Sequence, residues 1–427
     1  MSIPYREVIS APGMATRFPD AGLVADYLDS GSPGGELVYL GFGETWTRPP
    51  SGLLDALADV PGHAHGYVIS QYGLPRLQQI LRTYVAADCR LPDDVEPGRD
   101  FETAAVSGGT RNSMFDFARL LLTGYGFAPS ESGRAPVAVA PSPGWDYTGV
   151  FAPLGFRMRY LRLDEQGQPA PEGLDELLDA LPGDERLAAF VVNAQHNPTG
   201  ANWRPDAVRR LIDRALDAGA GVLVDDAYFG FRTAVASPTS ALRALFESLA
   251  ADPTRTRRPW LAVRSLGKQF GCNGWGIGAA VGSPRLLDDL VNQTLFQRSF
   301  AGATPLQSAM ATWLSSPESR RHVRRREREH LDKMSIMESF FADRPEAFHA
   351  GGYTPFAQLR LPRGRDGADP QEFQRECLRR TGVLLSVYPW RRRSTADSSP
   401  AQARLYLGAP RAVVLEALQR LAAAGYV

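Results

Sequence analysis

The chain has few cysteines, no long apolar run and no excess charge of either sign. Its 427 residues include three cysteines, Cys89, Cys272 and Cys377. They are scattered, odd in number and without metal-ligand spacing, so we expect no metal site and a reducing cytoplasm. No run of 18 or more apolar residues is present, so no membrane-spanning helix is expected. Lys and Arg total 47, as do Asp and Glu, so any anion-binding site must be local.

Signals for secretion and for nucleic-acid binding are also missing. The N-terminal segment Met1–Arg6 has no basic stretch followed by an apolar core, which agrees with a cytoplasmic location. The arginine-rich cluster Arg324–Glu329 stands without a helix-turn-helix or other nucleic-acid motif. We interpret it as a solvated helix face with ion pairs, and expect neither nucleic acid nor membrane as a partner.

Alternating apolar and helical patterns predict the fold class. The helical segment after the first predicted strand carries Met114, Phe117 and Leu121 on one face. This alternation predicts an α/β fold with a mainly parallel sheet covered by helices on both faces. A long helix around Pro317–Phe341 then leads into a smaller α+β region. The predicted strands are Thr103–Ser107, Pro136–Ala140, Leu187–Asn193, Gly221–Asp225 and Trp260–Ser265.

The first two chemical features follow two of these strands. Ser107-Gly108-Gly109-Thr110 precedes a helix, where glycine permits close backbone approach and free N–H groups favour an anion. Many strand–helix turns contain Gly-Gly, so this motif is weak alone. Trp145, in Pro141–Trp145, either caps the core or offers a flat face to an aromatic ligand.

The next strands end in polar residues that are harder to explain by packing. His196-Asn197-Pro198-Thr199-Gly200 is ordinary turn chemistry. Asp225, in Asp225–Tyr228, ends a buried strand, where a carboxylate needs a partner such as a pyridinium nitrogen. Lys268, in Ser265–Gly271, is either an exposed surface lysine or a desolvated nucleophile able to form an imine.

In their order along the chain, these motifs resemble the fold type I pyridoxal-phosphate family, in its aspartate-aminotransferase (class I/II aminotransferase) branch. The 28 residues from Asn197 to Asp225 (225 − 197) are a spacing typical of that family. The segment Leu40-Gly41-Phe42-Gly43-Glu44, the stretch Tyr67–Leu77 and Arg404 are similar to further family motifs. The resemblance therefore covers about residues 38 to 408.

The resemblance implies a role for each residue around the cofactor, pyridoxal 5′-phosphate. Lys268 would hold it as an imine and then move the proton at the substrate α-carbon. Asp225 would keep the pyridine nitrogen protonated. Asn197 and Tyr228 would hydrogen-bond the phenolic oxygen of the ring, and Trp145 would stack on the ring.

The resemblance also implies a phosphate site and a homodimer with shared active sites. Gly109, Thr110 and Ser265 would hold the phosphate, and Tyr67 would reach the phosphate of the neighbouring subunit. The implied domains are an N-terminal arm with part of the small domain at 1–48, a cofactor-binding large domain at 49–300 and a small domain at 301–427.

On the substrate side, the resemblance implies that Arg404 grips the α-carboxylate of a small-molecule amino acid. Gly41 and Trp46 would line the same region. Tyr388–Arg393 contains the basic run Arg391, Arg392 and Arg393, which is either a solvated loop or a contact for a large anionic substrate.

Two departures from the family pattern concern the phosphate. Gly276 stands where the family usually has an arginine, and Gly267 replaces the serine directly before the lysine. Another cation would have to substitute, and the candidates are Arg264, Arg111 and Arg298, the last from this chain or from a partner subunit.

The expected activity is transamination of an L-amino acid through a Lys268 imine and an α-carbanion. An alternative is a β- or γ-elimination, replacement, cyclisation or C–C bond-forming reaction of specialised biosynthesis, with S-adenosylmethionine or another large anionic substrate. A non-catalytic regulator domain is disfavoured by the retention of Lys268, Asp225 and Arg404, and by the short segment before residue 38.

Overall fold

The structure is a computed structural model that describes residues 5, 19–41, 46, 48–228, 237–298, 302–350, 352–361, 370–387 and 402–427. The strands in these ranges are numbered β1 to β13 in chain order: Val38–Tyr39, Glu102–Val106, Ala135–Ser142, Arg157–Arg162, Glu185–Val192, Gly221–Asp225, Trp260–Ser265, Gly278–Gly282, Phe348–His349, Phe356–Arg360, Val383–Leu384, Ser386–Val387 and Gln402–Tyr406.

The α-helices of the same ranges are numbered α1 to α15: Pro19–Asp29, Ser51–Ala58, Pro75–Cys89, Thr110–Gly124, Pro129–Ser132, Thr148–Phe151, Glu172–Asp179, Pro205–Asp217, Ala241–Ala251, Leu266–Phe270, Pro284–Arg298, Thr304–Ser315, Pro317–Phe340, Pro370–Thr381 and Arg411–Ala423. Short 3-10 helices occupy Gly62–His65, Ala152–Leu154, Pro253–Arg257, Asn273–Trp275 and Pro345–Ala347.

Seven strands form one sheet in the order β2-β8-β7-β6-β5-β3-β4. β8 is antiparallel to both of its neighbours, and the strands from β7 to β4 pair in parallel. The predicted α/β fold with a mainly parallel sheet is confirmed, and the sheet has seven strands. Two of the strands, β4 and β8, are not among those predicted from the sequence. β4 is an edge strand with half-exposed residues, and β8 has the small-residue sequence GAAVG, so neither shows a strong apolar pattern.

Alternating side chains of this sheet pack into two separate apolar clusters. Val137, Val139 and Val222 belong to one cluster, with the apolar residues of α8 and α9. Ala138 and Leu223 belong to the other, with those of α4 and α11. Successive strand residues point to opposite faces, so the sheet is buried on both sides.

The covering helices follow from their sequence patterns. α4 buries the apolar face predicted for it, including Met114, Phe117 and Leu121, and each such side chain contributes about 1.5–3 kcal/mol when fully buried. α8 begins at Pro205, whose fixed φ suits the first helical position. α9 begins after Ser240, whose side chain accepts a hydrogen bond from the N–H of Arg243 at 3.1 Å.

The chain divides into two compact units. One comprises Arg48–Asn197 and Ala201–Glu327, and the other comprises Met1–Thr47, Pro198–Gly200 and Arg328–Val427. The boundary at residue 327 lies later than the predicted boundary at 300. The reason is that α12 packs against α2 and α3, so this helix belongs to the unit that contains the seven-stranded sheet.

The second unit contains two small sheets. β12-β13-β10-β9 form an antiparallel sheet, and β1 pairs with β11 in parallel. Leu359, Leu405 and Val383 contribute to its core. Among the helices that the structure describes in either unit, none combines the length and hydrophobicity needed to cross a membrane.

Candidate active site

Six strands of the large sheet run in the same direction, and five of them have predicted site residues at or just after their carboxyl ends. β2 and β7 are both antiparallel to β8, so β2 runs the same way as β7, β6, β5 and β3. The loops after these strands carry Thr110, Trp145, Asn197, Asp225 and Lys268. Ligands of α/β sheets bind outside the carboxyl ends of the strands. The topology therefore brings the predicted motifs of this unit to one edge.

Asp225, at the end of β6, is a buried carboxylate with a defined set of partners. It is 5% exposed. The Tyr147 hydroxyl donates to its Oδ2 at 2.8 Å, and the N–H of Ala227 donates to its Oδ1 at 3.2 Å. Burial raises the pKa of Asp225, and the positive charge of Lys268 and these hydrogen bonds partly offset that rise. The site thus holds an acid whose charged form gains from a nearby cation.

Lys268 lies on the short helix α10, directly after β7. Ser265 caps this helix, because its side chain accepts a hydrogen bond from the N–H of Lys268 at 3.3 Å. The Nζ atom lies 4.4 Å from the centroid of the Tyr228 ring, and the lysine is half-buried. The cap holds the turn that carries Lys268 against the end of β7, and the structure brings Lys268 and Tyr228 together.

Asn193 was not identified from the sequence, yet it connects two of the loops. Its Nδ2 donates to the carbonyl oxygen of Asp225 at 2.7 Å, and its Oδ1 accepts from the N–H of Asn197 at 2.8 Å. All three residues are buried. The position of Asn197 relative to Asp225 therefore depends on a residue four positions earlier. The sequence signal that could have identified Asn193 is a polar residue directly after the apolar residues of β5.

Trp145 lies between two side chains with different chemistry. Its ring meets that of Tyr147 edge to face, with centroids 5.2 Å apart. The guanidinium carbon of Arg111 lies 4.1 Å from the Trp145 ring centroid. Tyr147 is not among the site residues predicted from the sequence. Its signal was only its place two residues after Trp145, which does not reveal a contact with Asp225.

The Gly108-Gly109-Thr110 turn adopts the conformation that glycine was expected to provide. Gly108 and Gly109 have φ values of 79° and 86°, which side chains rarely adopt. A Cβ built on Gly109 would meet no atom within 4 Å, so open space lies beside the start of α4. N–H groups in the first turn of a helix lack intrahelical acceptors and favour an anion. A phosphate group fits this cradle.

Arg264 points away from the proposed phosphate position, which contradicts one of the three cation candidates. Its side chain is buried and pairs with Asp88 at 3.0 Å. It also lies over the ring of Tyr84, with the guanidinium carbon 5.7 Å from the centroid. Neighbouring strand residues face opposite sides, so Arg264 cannot share the direction of Ser265. The side chain of Arg298 lies outside the described residues.

Asp226 belongs to the same buried group as Arg264. It is 4% exposed, and its Oδ1 has no hydrogen-bond partner among the described residues. Burial raises the pKa of Asp226 to about 7, although Arg264 acts in the opposite direction.

The proposed substrate residues lie in the other unit. Arg404, on β13, donates from Nη2 to the carbonyl oxygen of Gly41 at 2.6 Å, and its guanidinium carbon lies 4.5 Å from the Phe356 ring centroid. Trp46 donates from its indole N–H to the carbonyl oxygen of Tyr39 at 2.6 Å. Arg404 and Gly41 are thus brought into contact. The predicted residues Phe42–Glu44 and Tyr388–Arg393 lie outside the described residues.

Tyr67 is far more exposed than the other predicted site residues. Its relative exposure is 80%, and that of nearby Ile69 is 96%. The described residues of this single chain do not bury either side chain.

Comparisons with known proteins agree with the fold. Residues 130–403 match the family "Aminotransferase class I and II". The chain is 29% identical over 136 residues to the "Probable N-succinyldiaminopimelate aminotransferase DapC" of Mycobacterium tuberculosis, an alignment that spans 31% of each chain. It is 30% identical over 161 residues to the histidinol-phosphate aminotransferase of Paracidovorax citrulli, which spans 37% of this chain and 39% of that one. A double mutant of the Thermus thermophilus aspartate aminotransferase shares the fold, with a TM-score of 0.74, 19% identity and 98% of each chain covered.

Proposed function

Because this chain belongs to the class I and II aminotransferase family, we propose that it is a pyridoxal-phosphate-dependent aminotransferase that acts on an L-amino acid. The observation that carries the proposal is the buried carboxylate of Asp225, whose pKa is raised by burial and lowered by the charge of Lys268. A buried acid at the edge where ligands bind and an adjacent lysine are the two groups that this cofactor requires.

When bound, pyridoxal phosphate supplies an electron-accepting ring that stabilises negative charge at the α-carbon of an amino acid. In the proposed mechanism, Asp225 holds the proton of the ring nitrogen, because its buried carboxylate favours a cationic partner. Tyr147 and the N–H of Ala227 keep that carboxylate oriented. Trp145 offers a ring face, and Thr110 and the first N–H groups of α4 bind the phosphate.

Lys268 is the proposed proton carrier at the substrate α-carbon. Its amine lies over the Tyr228 ring, and the Ser265 cap fixes the turn that carries it. Both contacts limit the positions that the amine can take, which favours a proton transfer to and from one carbon atom. Asn197 and Tyr228 are proposed to bind the phenolic oxygen of the ring.

Arg404 is proposed to bind the α-carboxylate of the substrate. Its guanidinium can form two parallel hydrogen bonds with a carboxylate, which orients the amino acid as well as attracting it. The contact with the Gly41 carbonyl oxygen holds one guanidinium nitrogen in place. Gly41 and Trp46 are therefore proposed to shape the same binding region.

We also propose a homodimer in a reducing compartment such as the cytoplasm. The exposure of Tyr67 supports its assignment to the phosphate of a neighbouring subunit, because a large aromatic side chain exposed at 80% is suited to a partner surface. The three cysteines are buried and free, which agrees with a reducing environment.

A spectral experiment tests the cofactor and the reaction together. We expect the purified protein with added pyridoxal phosphate to absorb in the visible range, and Lys268→Ala to lose that band. Incubation with single amino acids, without an oxo acid, should release one oxo acid per site. An unchanged spectrum in Lys268→Ala would contradict the assignment of the lysine.

The same experiment addresses the second candidate reaction. Elimination, replacement, cyclisation and carbon–carbon bond formation start with removal of the same α-proton, so they use the same described residues. Gly276, in place of the usual arginine, is the departure that favours this candidate. Loss of a leaving group from S-adenosylmethionine or another substrate, without release of an oxo acid, would support it over transamination.

A further inference from the structure

The segment around Gly276 closes against the proposed phosphate turn. The carbonyl oxygen of Gly276 accepts a hydrogen bond from the N–H of Gly109 at 2.8 Å. A Cβ on residue 276 would lie 3.2 Å from backbone atoms of Gly108 and Gly109, and its φ of 61° disfavours a side chain. A Cβ on Gly267 would also lie 3.0 Å from the Asn273 Cα. Both glycines permit this close approach, and a side chain at 276 would be strained and would require the turn to shift by a few tenths of an ångström.

Few described cations remain available to a phosphate at this turn. Lys268 has the proposed role at the cofactor carbon, and Arg264 is paired with Asp88. Burial lowers the pKa of His196 to about 3, so this side chain is neutral at physiological pH. Within the segment from Ser107 to Arg111, which forms the proposed phosphate turn, the cation is Arg111.

Arg111 is the second residue of α4 and belongs to the turn that follows Gly109. Long side chains on a helix point back toward its N-terminus, which is the direction of the proposed phosphate. Its guanidinium pairs with Asp146 at 3.0 Å, and the two side chains are 47% and 60% exposed. An ion pair this exposed contributes little, so a stronger anion can replace it. The guanidinium also lies 4.1 Å from the Trp145 ring centroid, and its move to a phosphate gives up that contact as well.

We propose that Arg111 binds the phosphate of the cofactor, exchanging its ion pair with Asp146 for the phosphate oxygens. This inference rests on the proposed function. A phosphate dianion binds a guanidinium through two hydrogen bonds and carries more charge than the carboxylate of Asp146. Asp146 then acts as a competitor for Arg111, so the two residues have opposite effects on cofactor affinity.

The test compares two ligands that differ only in the phosphate. Apoprotein is titrated with pyridoxal 5′-phosphate and with pyridoxal. The Kd for pyridoxal divided by the Kd for pyridoxal 5′-phosphate measures the contribution of the phosphate. We expect Arg111→Gln to reduce this ratio about tenfold to a hundredfold, as for a lost hydrogen bond to a charged group. Asp146→Asn should increase the ratio.

Arg243→Gln is the matched control, because Arg243 is also 47% exposed and pairs with an acid, Glu247, within α9, away from the proposed phosphate turn. Its ratio should equal that of the wild type, and melting temperatures should show that all variants fold. An unchanged ratio in Arg111→Gln, or equally weakened binding of both ligands, would overturn the role of Arg111 and leave the proposed cofactor standing. A wild-type protein that binds neither ligand, or binds both equally, would contradict the proposed cofactor as well.

Discussion

The hydroxyl of Tyr147 donates a 2.8 Å hydrogen bond to Oδ2 of Asp225, although the two residues are 78 positions apart in the sequence. Both side chains are buried. Burial and the negative charge of Asp225 raise the pKa of Tyr147 well above its ordinary value, so the hydroxyl stays protonated and remains a donor. Tyr147 also packs edge to face against Trp145. One side chain thus contacts both the proposed ring-stacking residue and the proposed ring-nitrogen acid.

Tyr147→Phe should keep the packing and remove only this hydrogen bond. The bond lowers the pKa of Asp225, so its loss should raise that pKa further. The acidic limb of the kcat/KM profile should therefore move to higher pH, because Asp225 must be ionised to hold the ring proton. Tyr160→Phe removes a hydroxyl that bonds to Thr148 and should leave the profile unchanged. Identical profiles for Tyr147→Phe and wild type would rule out this positioning role.

Asp225→Ala should bind the cofactor and lose most activity. Removal of a preorganised charge from a buried site costs about a hundredfold or more in kcat. The measurement is kcat for amino-acid turnover, with visible absorbance as a check that cofactor is bound. Full activity in this variant would remove the proposed role of Asp225.

Arg404→Ala should raise KM for the amino acid without changing the spectrum of the bound cofactor. Loss of a hydrogen-bonded charge pair corresponds to about a tenfold to hundredfold change in binding. Arg404→Lys retains the charge without the bidentate geometry and should be intermediate. An unaffected KM in Arg404→Ala would mean that the carboxylate binds elsewhere.

Asp226→Asn should change how stability depends on pH. The pKa of Asp226 rises from 3.8 to about 7 in the folded protein, so the folded state favours the protonated acid. That contribution is fully present below pH 3.8 and is lost as the pH rises through 7. The loss amounts to about 4 kcal/mol of unfolding free energy, which Asp226→Asn should not show.

The measurement is denaturant unfolding of both proteins between pH 3 and pH 8. The stability of the variant relative to wild type should increase steadily over that range. A difference that is constant with pH would mean that Asp226 does not titrate in the folded protein.

Most of the fold could be predicted because its signals are local. Four of the five predicted strands lie in the central part of the sheet, where continuous apolar runs are needed to bury both faces. Strands β4 and β8 were not predicted, because β4 is a partly exposed edge strand and β8 is a run of small residues, and neither shows that apolar pattern. The unit boundary at residue 327 depends on packing between α12 and the helices α2 and α3, which no sequence pattern reports.

The sequence by itself determined the fold class and the motifs at the strand ends, because each lies within a few consecutive residues. Only the tertiary structure decided which distant side chains meet. It joined Tyr147 to Asp225, and it paired Arg264 with Asp88, 176 positions away, which left Arg111 as the described cation of the phosphate turn. Such choices depend on which face of a strand each side chain points to and on what packs against that face.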